Sequence, residues 1–194
     1  MKPAHRSQRG FTLLEVLISL LILLIGLLGI AALMLKGQRA SFEAYQRQQA
    51  LAMAQEMAEK IRANQGAAAS YVTGAGADAL ATQIAALTCV ATDTSCVLAK
   101  DDLTRWDRTL AGASETKDGT RVGGIIGARG CIERPDPGQP VFWVSVAWQG
   151  EADTGAPAAT ASACGSGSYG TAARRRLVTL SVGTCPLAAG GGCT

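Results

Sequence analysis

Hydrophobic residues are concentrated in one unbroken run near the start of the chain. From Phe11 to Leu35 the sequence reads FTLLEVLISLLILLIGLLGIAALML, and Glu15 is the only charged residue in it. A helix rises about 1.5 Å per residue, so the uncharged stretch from Val16 to Leu35 would be about 30 Å long. That length matches the hydrocarbon core of a bilayer. The run is therefore predicted to span a membrane as a helix.

The helical pattern continues beyond the apolar run. Residues 36–64 contain no proline, are rich in strong helix formers and repeat apolar residues at helical spacing, which predicts an amphipathic helix. The apolar positions are Phe42, Tyr45, Ala50, Met53, Ala54, Met57 and Ile61. One helix from about Thr12 to Asn64 would be about 80 Å long, too long to pack within a single globule. Its first half must therefore pack in lipid or against partner helices.

Signals for β-strands occur only later in the chain. The strand candidates are 121–126, 140–148 and 176–182, of which the second is the strongest. Small residues dominate 66–82, which predicts a linker or a partly ordered loop, and 150–173, which predicts a long loop. A small antiparallel sheet packed on the second half of the helix fits these signals, which indicates an α+β fold.

Composition and charge narrow the choice of function. The 194 residues suit one modest domain with an extension. The only histidine in the sequence is His5, so histidine-dependent catalysis and zinc sites are disfavoured. Lys2, Arg6 and Arg9 are basic, and no acidic residue accompanies them in the first ten positions. Removing them from the 18 basic residues leaves 15, which equals the number of acidic residues. The net charge of +3 thus belongs to the N-terminus, and nucleic acid binding is not expected.

The residues around the apolar run favour an N-terminus on the cytoplasmic side, because the basic leader precedes it. An ordinary secretory signal is the alternative, since Gly29-Ile30-Ala31 has the small-x-small form of a cleavage site. Glu15 argues against a signal peptide. A carboxylate inside an apolar segment costs several kcal/mol on insertion scales, so it calls for a functional explanation.

Residues 9–15, RGFTLLE, resemble the cleavage motif of type IV prepilins and pseudopilins. In that motif a short basic leader ends in Gly, and Phe and then Glu follow. The resemblance implies that prepilin peptidase cuts between Gly10 and Phe11 and methylates the new amine of Phe11. It also implies that Glu15 reaches the amine of a neighbouring subunit and sets the axial register of assembly. The alternative for Glu15 is a carboxylate that snorkels to the membrane interface.

More narrowly, the chain looks like the PilV family of minor pilins, called type IV pilus modification proteins. The matching pieces are IGLLG at 25–29, the helix segment 52–64, the strand 144–148, and Cys164-Gly165 leading to Arg174-Arg175-Arg176. This resemblance implies a pilin-like α+β fold, in which a long N-terminal helix packs on a small antiparallel sheet with long disulfide-stapled loops. The expected segments are 1–10 (prepilin leader), 11–35 (transmembrane and filament-core helix), 36–65 (amphipathic half of the helix) and 66–194 (periplasmic head domain). The membrane helix is represented by Leu13, Val16, Leu20, Gly26 and Gly29. The two glycines would allow close helix approach or local bending, and the alternative is that they are tolerated without a role.

The function that the resemblance implies is that of a minor pilin, not an enzyme. The chain would pass once through the inner membrane, with its head in the periplasm, and then prime, cap or join a type IV pilus at the cell surface. The implied partners are prepilin peptidase, the major pilin, other minor pilins and the inner-membrane assembly machinery, and no cofactor or metal is expected. A minor pseudopilin of a type II secretion system shares the same opening motif. The alternative of another class is a single-pass periplasmic adhesive or binding module.

All six cysteines follow the predicted membrane segment, and an even set outside the membrane suits disulfides in an oxidising compartment. The sequence does not choose among the connectivities, but short loops close at small entropy cost and favour local pairs. The favoured pairs are Cys89 with Cys96, Cys131 with Cys164, and Cys185 with Cys193. No CxxC spacing is present, so redox catalysis is not expected.

Three further groups of residues are expected to have structural roles. The arginine triplet 174–176 is interpreted as a solvated strand start, because one triplet gives little phosphate field. Trp106, Trp143 and Trp148 are expected to pack in the core or on a sheet face. The acidic residues Asp101, Asp102 and Asp107 match no calcium-loop spacing, so helix capping or solvation is expected.

Overall fold

The computed structural model describes residues 10–76, 79–112, 116–117, 120–121 and 124–185. Its elements are α1 (Leu13–Ala63), a 3₁₀ helix (Gln65–Tyr71), α2 (Ala79–Ala86), α3 (Thr94–Leu110), β1 (Thr116–Lys117), β2 (Thr120–Arg121), β3 (Arg129–Glu133), β4 (Val141–Gln149), a second 3₁₀ helix (Ala172–Arg174) and β5 (Arg175–Gly183). The chain divides into two compact units, one up to Phe42 and one from Glu43 onward, called the head unit below. Most of the predicted leader, residues 1–9, lies outside the described residues.

The first unit consists of the N-terminal part of α1. The helix has 51 residues and agrees with the predicted helix from about Thr12 to Asn64. Every side chain from Gly10 to Phe42 is exposed. Among the described residues, α1 is the helix that is long and apolar enough to cross a membrane.

The head unit contains a three-stranded antiparallel sheet in the order β3-β4-β5. The central strand, β4, pairs with β5 along its whole length, from Val141 opposite Gly183 to Gln149 opposite Arg175. Its sequence, VFWVSVAWQ, is rich in β-branched and aromatic residues, as expected of a strand buried on both faces. A long helix with a small antiparallel sheet is the α+β fold that the sequence predicts.

One face of the sheet packs against the head part of α1. Val144 and Val146 of β4 lie in the main core together with Ala54, Met57 and Ile61 of α1. All five side chains are fully buried. The helical spacing of the three α1 residues places them on one stripe, so the amphipathic pattern of the sequence faces the sheet as predicted.

The third helix, α3, belongs to the same core, although the sequence analysis did not predict it. Its N-cap is Asp93, whose side chain accepts a hydrogen bond from the Cys96 amide at 3.1 Å. These contacts to a backbone amide and to Ser95 lower the pKa of the Asp93 carboxyl. Trp106 of α3 is fully buried and donates a hydrogen bond from Nε1 to the Met53 carbonyl of α1 at 3.0 Å. The two helices are thus joined by packing and by a buried indole hydrogen bond.

The other face of the sheet is covered by the loop between β4 and β5. Cys164 and Tyr169 of this loop pack against Cys131 of β3 and Ala147 of β4 in a second, smaller core. The long loop that the sequence predicts is therefore present, and it forms a layer of the head.

The predicted strand 121–126 is mostly wrong. Of its residues that the structure describes, Arg121 ends the short β1-β2 hairpin, while Gly124 to Ile126 lie in no strand. The chain turns at Gly127, where φ is +63°, before it pairs with β4 as β3. Gly127 permits this turn because glycine adopts positive φ at little cost.

Two other local features go beyond what the sequence pattern indicates. Residues 66–82 are not a plain linker, since they include most of a 3₁₀ helix that ends at the buried Tyr71 and the first part of α2. Phe42 and Tyr45 do not join the core, and their side chains stay 47% and 56% exposed. The buried stripe of α1 begins only at Gln46, so the apolar periodicity extends further down the helix than the head that covers it.

Candidate functional site

Glu15 lies in the first turn of α1, three residues after Thr12, the residue that caps the helix. The Glu15 amide donates to both the side-chain and the backbone oxygen of Thr12, at 3.3 Å and 3.1 Å. Thr12 and Glu15 therefore occupy the N-cap and third helical positions of a capping-box sequence. A carboxylate in the first turn also interacts favourably with the helix dipole. The T-x-x-E spacing could have revealed this local role from the sequence alone.

The predicted cleavage residues precede the helix. Gly10 and Phe11 are exposed, and a Cβ at Gly10 would meet no atom within 4 Å. An exposed stretch of chain ahead of a helix is one in which a protease can reach a peptide bond. The structure thus leaves the Gly10–Phe11 bond accessible.

The apolar surface of α1 contains few polar groups, and its hydroxyls are satisfied within the helix. Ser19 donates to the Glu15 carbonyl at 2.8 Å, and Ser41 donates to the Gly37 carbonyl at 3.0 Å. Such bonds let a helix enter lipid or an apolar bundle without orphaned donors. The remaining membrane-helix positions singled out from the sequence are all exposed on α1, namely Leu13, Val16, Leu20, Gly26 and Gly29. A Cβ at either of these two glycines would meet nothing within 4 Å, so both present open backbone to a partner.

Two disulfides in the head unit match the favoured pairing. Cys89 bonds Cys96 just before and inside the first turn of α3, and Cys131 of β3 bonds Cys164 of the long loop. Cys185 is also disulfide-bonded. Its predicted partner, Cys193, lies outside the described residues, so this third pairing stays a prediction.

The long loop is held to the sheet by more than its disulfide. Arg175 donates from Nη1 to the carbonyls of Ser162 and Cys164, at 2.8 Å and 3.0 Å. Tyr169 donates its hydroxyl to the Gly127 carbonyl at 2.9 Å, and burial raises the pKa of this phenol to about 12. The loop is thus held to β3 by its disulfide, to β5 by Arg175 and to the turn at Gly127 by Tyr169.

The arginine triplet is not a freely solvated strand start. Arg174 pairs with Asp153 at 2.8 Å, and Arg176 pairs with Glu43 of α1 at 3.1 Å. Together with the carbonyl contacts of Arg175, these bonds use all three guanidinium groups within the head unit. They connect the loop, β5 and α1, which is a structural role.

One of the three acidic residues near the middle of α3 has a specific partner that the sequence did not reveal. Asp102 accepts a hydrogen bond from the buried Tyr71 hydroxyl at 2.7 Å and lies 3.5 Å from Lys60. Asn64 donates to the same hydroxyl at 3.2 Å and to the Ser95 carbonyl at 2.8 Å. Burial is the largest cause of the raised pKa of Tyr71. This cluster links the end of α1, the first 3₁₀ helix and α3.

The described part of the head unit has cavities on its surface. Across the described ranges, no three His, Cys, Asp or Glu side chains are grouped to hold a metal ion. One surface cavity of about 430 Å³ is lined by Leu110, Ala111 and residues 124–128, which carry no charged side chain. Another, of about 150 Å³, includes Asp107 and Arg129 in its lining. The chemistry that the described residues do offer is an apolar helix with a capped, acidic start.

Comparison with known proteins agrees with this geometry. A family model described as the prokaryotic N-terminal methylation motif matches residues 5–31, and one described as type IV pilin Tt1218 matches residues 32–109. No curated protein and no solved structure matches the chain significantly. The two matched segments adjoin and cover the apolar helix, the first 3₁₀ helix, α2 and nearly all of α3. The type IV pilin family is structural rather than catalytic. With this motif, the long apolar helix and the α+β head, the chain is a type IV pilin-like protein.

Proposed function

We propose that the chain is a minor pilin, most similar to the PilV family, that primes, caps or joins a type IV pilus. It acts as an assembly subunit and not as an enzyme. Its basic leader, residues 1–10, stays on the cytoplasmic side, residues 11–35 cross the inner membrane, and the head lies in the periplasm. Residues 36–65 then connect the membrane segment to the head domain, 66–194.

The observation that carries this proposal is the exposed apolar part of α1. Within the first unit, every side chain from Gly10 to Phe42 is exposed, and Glu15 is the only charge between Phe11 and Leu35. Such a surface is stable only in lipid or in a bundle of similar helices. A pilin uses both environments in succession, first as a membrane protein and then as a filament subunit.

Prepilin peptidase would cut the bond after Gly10, whose missing side chain admits a protease closely. The new amine of Phe11 is a cation, and Glu15 lies about one helical turn further on. In a filament the Glu15 carboxylate pairs with the Phe11 amine of a neighbouring subunit, because an unpaired charge in an apolar bundle is costly. This pairing fixes the axial register between subunits.

The first test is the mass of the mature N-terminus in the native host. A chain that begins at N-methylated Phe11 supports processing by prepilin peptidase. A chain that begins at Ala32 would instead identify an ordinary signal peptide and overturn the proposal.

The second test compares sheared filaments with membranes for wild type, Glu15→Val and Glu15→Gln. We expect all three chains to be inserted and cleaved and only the wild type to enter filaments. Glutamine is the matched control, since it keeps the size and capping ability of glutamate without its charge. Normal incorporation of both variants would remove the assigned role of Glu15. A wild-type chain absent from pili but required for protein secretion would identify a type II pseudopilin instead.

A further inference from the structure

Thr12 sets the point at which α1 begins. The two backbone hydrogen bonds that open the helix are both accepted by the Thr12 carbonyl, from the Glu15 amide at 3.1 Å and from the Val16 amide at 3.4 Å. The Thr12 hydroxyl oxygen also accepts from the Glu15 amide, at 3.3 Å. Thr12 therefore makes the backbone and side-chain contacts of a helix N-cap, and the helix starts at the next residue, Leu13.

The bond that prepilin peptidase would cut lies just outside this helix start. Gly10 and Phe11 precede the helix, and both are exposed, Phe11 by 82%. If the helix began at Phe11 instead, the Gly10 carbonyl would accept a hydrogen bond from the Leu14 amide. That carbonyl is the group that a peptidase must attack. An earlier helix start would thus have to unwind before the bond could be cut.

The sequence ahead of Thr12 would permit an earlier start. Glycine is about as good an N-cap as threonine and serine is a better one, so Gly10 and Ser7 could both begin a helix. Glycine inside a helix weakens it without ending it. Near a membrane, backbone groups without partners are costly, which favours additional helical hydrogen bonds. Gly10 alone therefore does not keep its own carbonyl out of the helix, and the cap at Thr12 supplies the missing stop.

We propose that Thr12 is a positioning residue for prepilin processing, because it holds the Gly10–Phe11 bond outside the helix. The inference rests on the proposed function, which supplies the peptidase. Hydrolysis breaks the C–N bond with one water, whose hydroxyl group goes to the Gly10 carbonyl carbon and whose remaining proton goes to the Phe11 nitrogen. Thr12 takes no part in these steps. It acts through the register of α1, which leaves the Gly10 carbonyl open to attack.

Substitutions at residue 12 separate capping from direct recognition by the peptidase. Thr12→Ser and Thr12→Asn keep a capping side chain but change its shape, whereas Thr12→Val keeps the shape of threonine and loses the hydroxyl. The assay is cleavage of the full-length precursor in detergent micelles by prepilin peptidase, followed by mass spectrometry. We expect kcat/KM within about twofold of wild type for serine and asparagine. For valine we expect a loss of about fivefold, which corresponds to a cap of about 1 kcal/mol.

Ser19→Ala is the matched control. The Ser19 hydroxyl is also exposed and bonded to its own helix, since it donates to the Glu15 carbonyl at 2.8 Å, but it does not cap the helix. We expect this variant to be cleaved at the wild-type rate. Slow cleavage of Thr12→Asn with normal cleavage of Thr12→Val would mean that the peptidase reads the shape of residue 12, which would overturn the inference. Equal rates for all variants would overturn it as well.

The helix start is measured in the same precursors without the peptidase. The ¹³Cα chemical shifts of Gly10 and Phe11 in the isotope-labelled full chain report whether these residues are helical. We expect non-helical values in wild type, Thr12→Ser and Thr12→Asn, and a shift toward helical values in Thr12→Val. Slow cleavage of Thr12→Val with unchanged chemical shifts would contradict the inference and leave the proposed function standing. If the wild-type precursor is not cut after Gly10 by a peptidase that cuts a known prepilin, the proposed function itself fails.

Discussion

The Cys131–Cys164 disulfide is expected to stabilise the head unit more than the Cys89–Cys96 disulfide. The first bond joins residues separated by 33 positions, and the second joins residues separated by 7. On the chain-entropy account, replacing each pair by alanine lowers the free energy of unfolding by about 3.7 kcal/mol and about 2.4 kcal/mol, respectively. The difference, about 1.3 kcal/mol, corresponds to a change of about tenfold in the unfolding equilibrium. Both Cys131 and Cys164 are also fully buried, so their removal leaves space between the loop and the sheet.

The measurement is urea unfolding of the full chain in detergent, with tryptophan fluorescence as the signal. Trp106 and Trp148 are buried in the main core of the head, so their emission reports the head and not the membrane helix. The double variant Cys131→Ala/Cys164→Ala should unfold at lower urea than Cys89→Ala/Cys96→Ala, with both below wild type. Intact mass under non-reducing conditions checks that the remaining cysteines have not exchanged partners.

Equal midpoints, or the reverse order, would refute this reasoning. Such a result would mean that the long loop keeps its native position without the disulfide. The contacts of Arg175 with two loop carbonyls would then suffice to hold it. Loop closure would no longer be the dominant contribution of the bond.

Three other changes test the packing and electrostatics of the head. Gly130→Ala should destabilise the head unit by about 1–3 kcal/mol, because the new Cβ would lie 2.5 Å from the buried ring of Trp106. An unchanged midpoint of urea unfolding would show that the ring can move aside. Asp102→Ala should lower the free energy of unfolding by about 1–3 kcal/mol, because it leaves the buried Tyr71 hydroxyl without its acceptor. In a Tyr71→Phe background, which lacks this hydroxyl, the same substitution should lower it much less. The pKa of the Asp93 carboxyl is lower in the folded chain than in the unfolded chain, where it is about 4. Its carboxylate therefore stabilises the fold at pH values above about 4, and this stabilisation is lost as the pH falls through the lowered pKa. Asp93→Asn should therefore lose less stability than wild type between pH 6 and pH 2, and parallel pH profiles would contradict this.

The sequence predicts the long helix, β4 and β5 because each carries a strong local signal. Apolar composition without charge indicates the first half of α1, and helical spacing indicates the second. The β-branched and aromatic run of β4 and the alternation in β5 identify strands on their own. The Cys89–Cys96 disulfide follows from its short loop, which needs no knowledge of the fold.

The parts that the sequence analysis missed depend on tertiary pairing or on weaker signals. β3 has only five residues, RGCIE, and becomes a strand because β4 offers it a partner. α3 did have a signal, since its buried residues recur at spacings of three and four after the capping Asp93. Tyr71 lies in a segment that reads as a linker, and only the acceptor on α3 explains why it is buried. Phe42 and Tyr45 continue the apolar periodicity of α1 but stay exposed, because periodicity tells which side of a helix is apolar but not how far the sheet extends along it.

The local role of Glu15 does not account for its presence. In the capping box, the third helical position is served by glutamine as well as by glutamate, and α1 needs no charge there to begin. A glutamine would also cost less on transfer into lipid, since a neutral amide has a smaller desolvation penalty than a carboxylate. The sequence nevertheless carries the one residue that combines capping with a negative charge, at the start of a run that is otherwise uncharged to Leu35. The capping-box spacing accounts for the position of Glu15, and the proposed pairing with a neighbour's N-terminal amine accounts for its charge. The comparison of Glu15→Gln with Glu15→Val separates these two roles, because glutamine keeps the cap and loses only the charge.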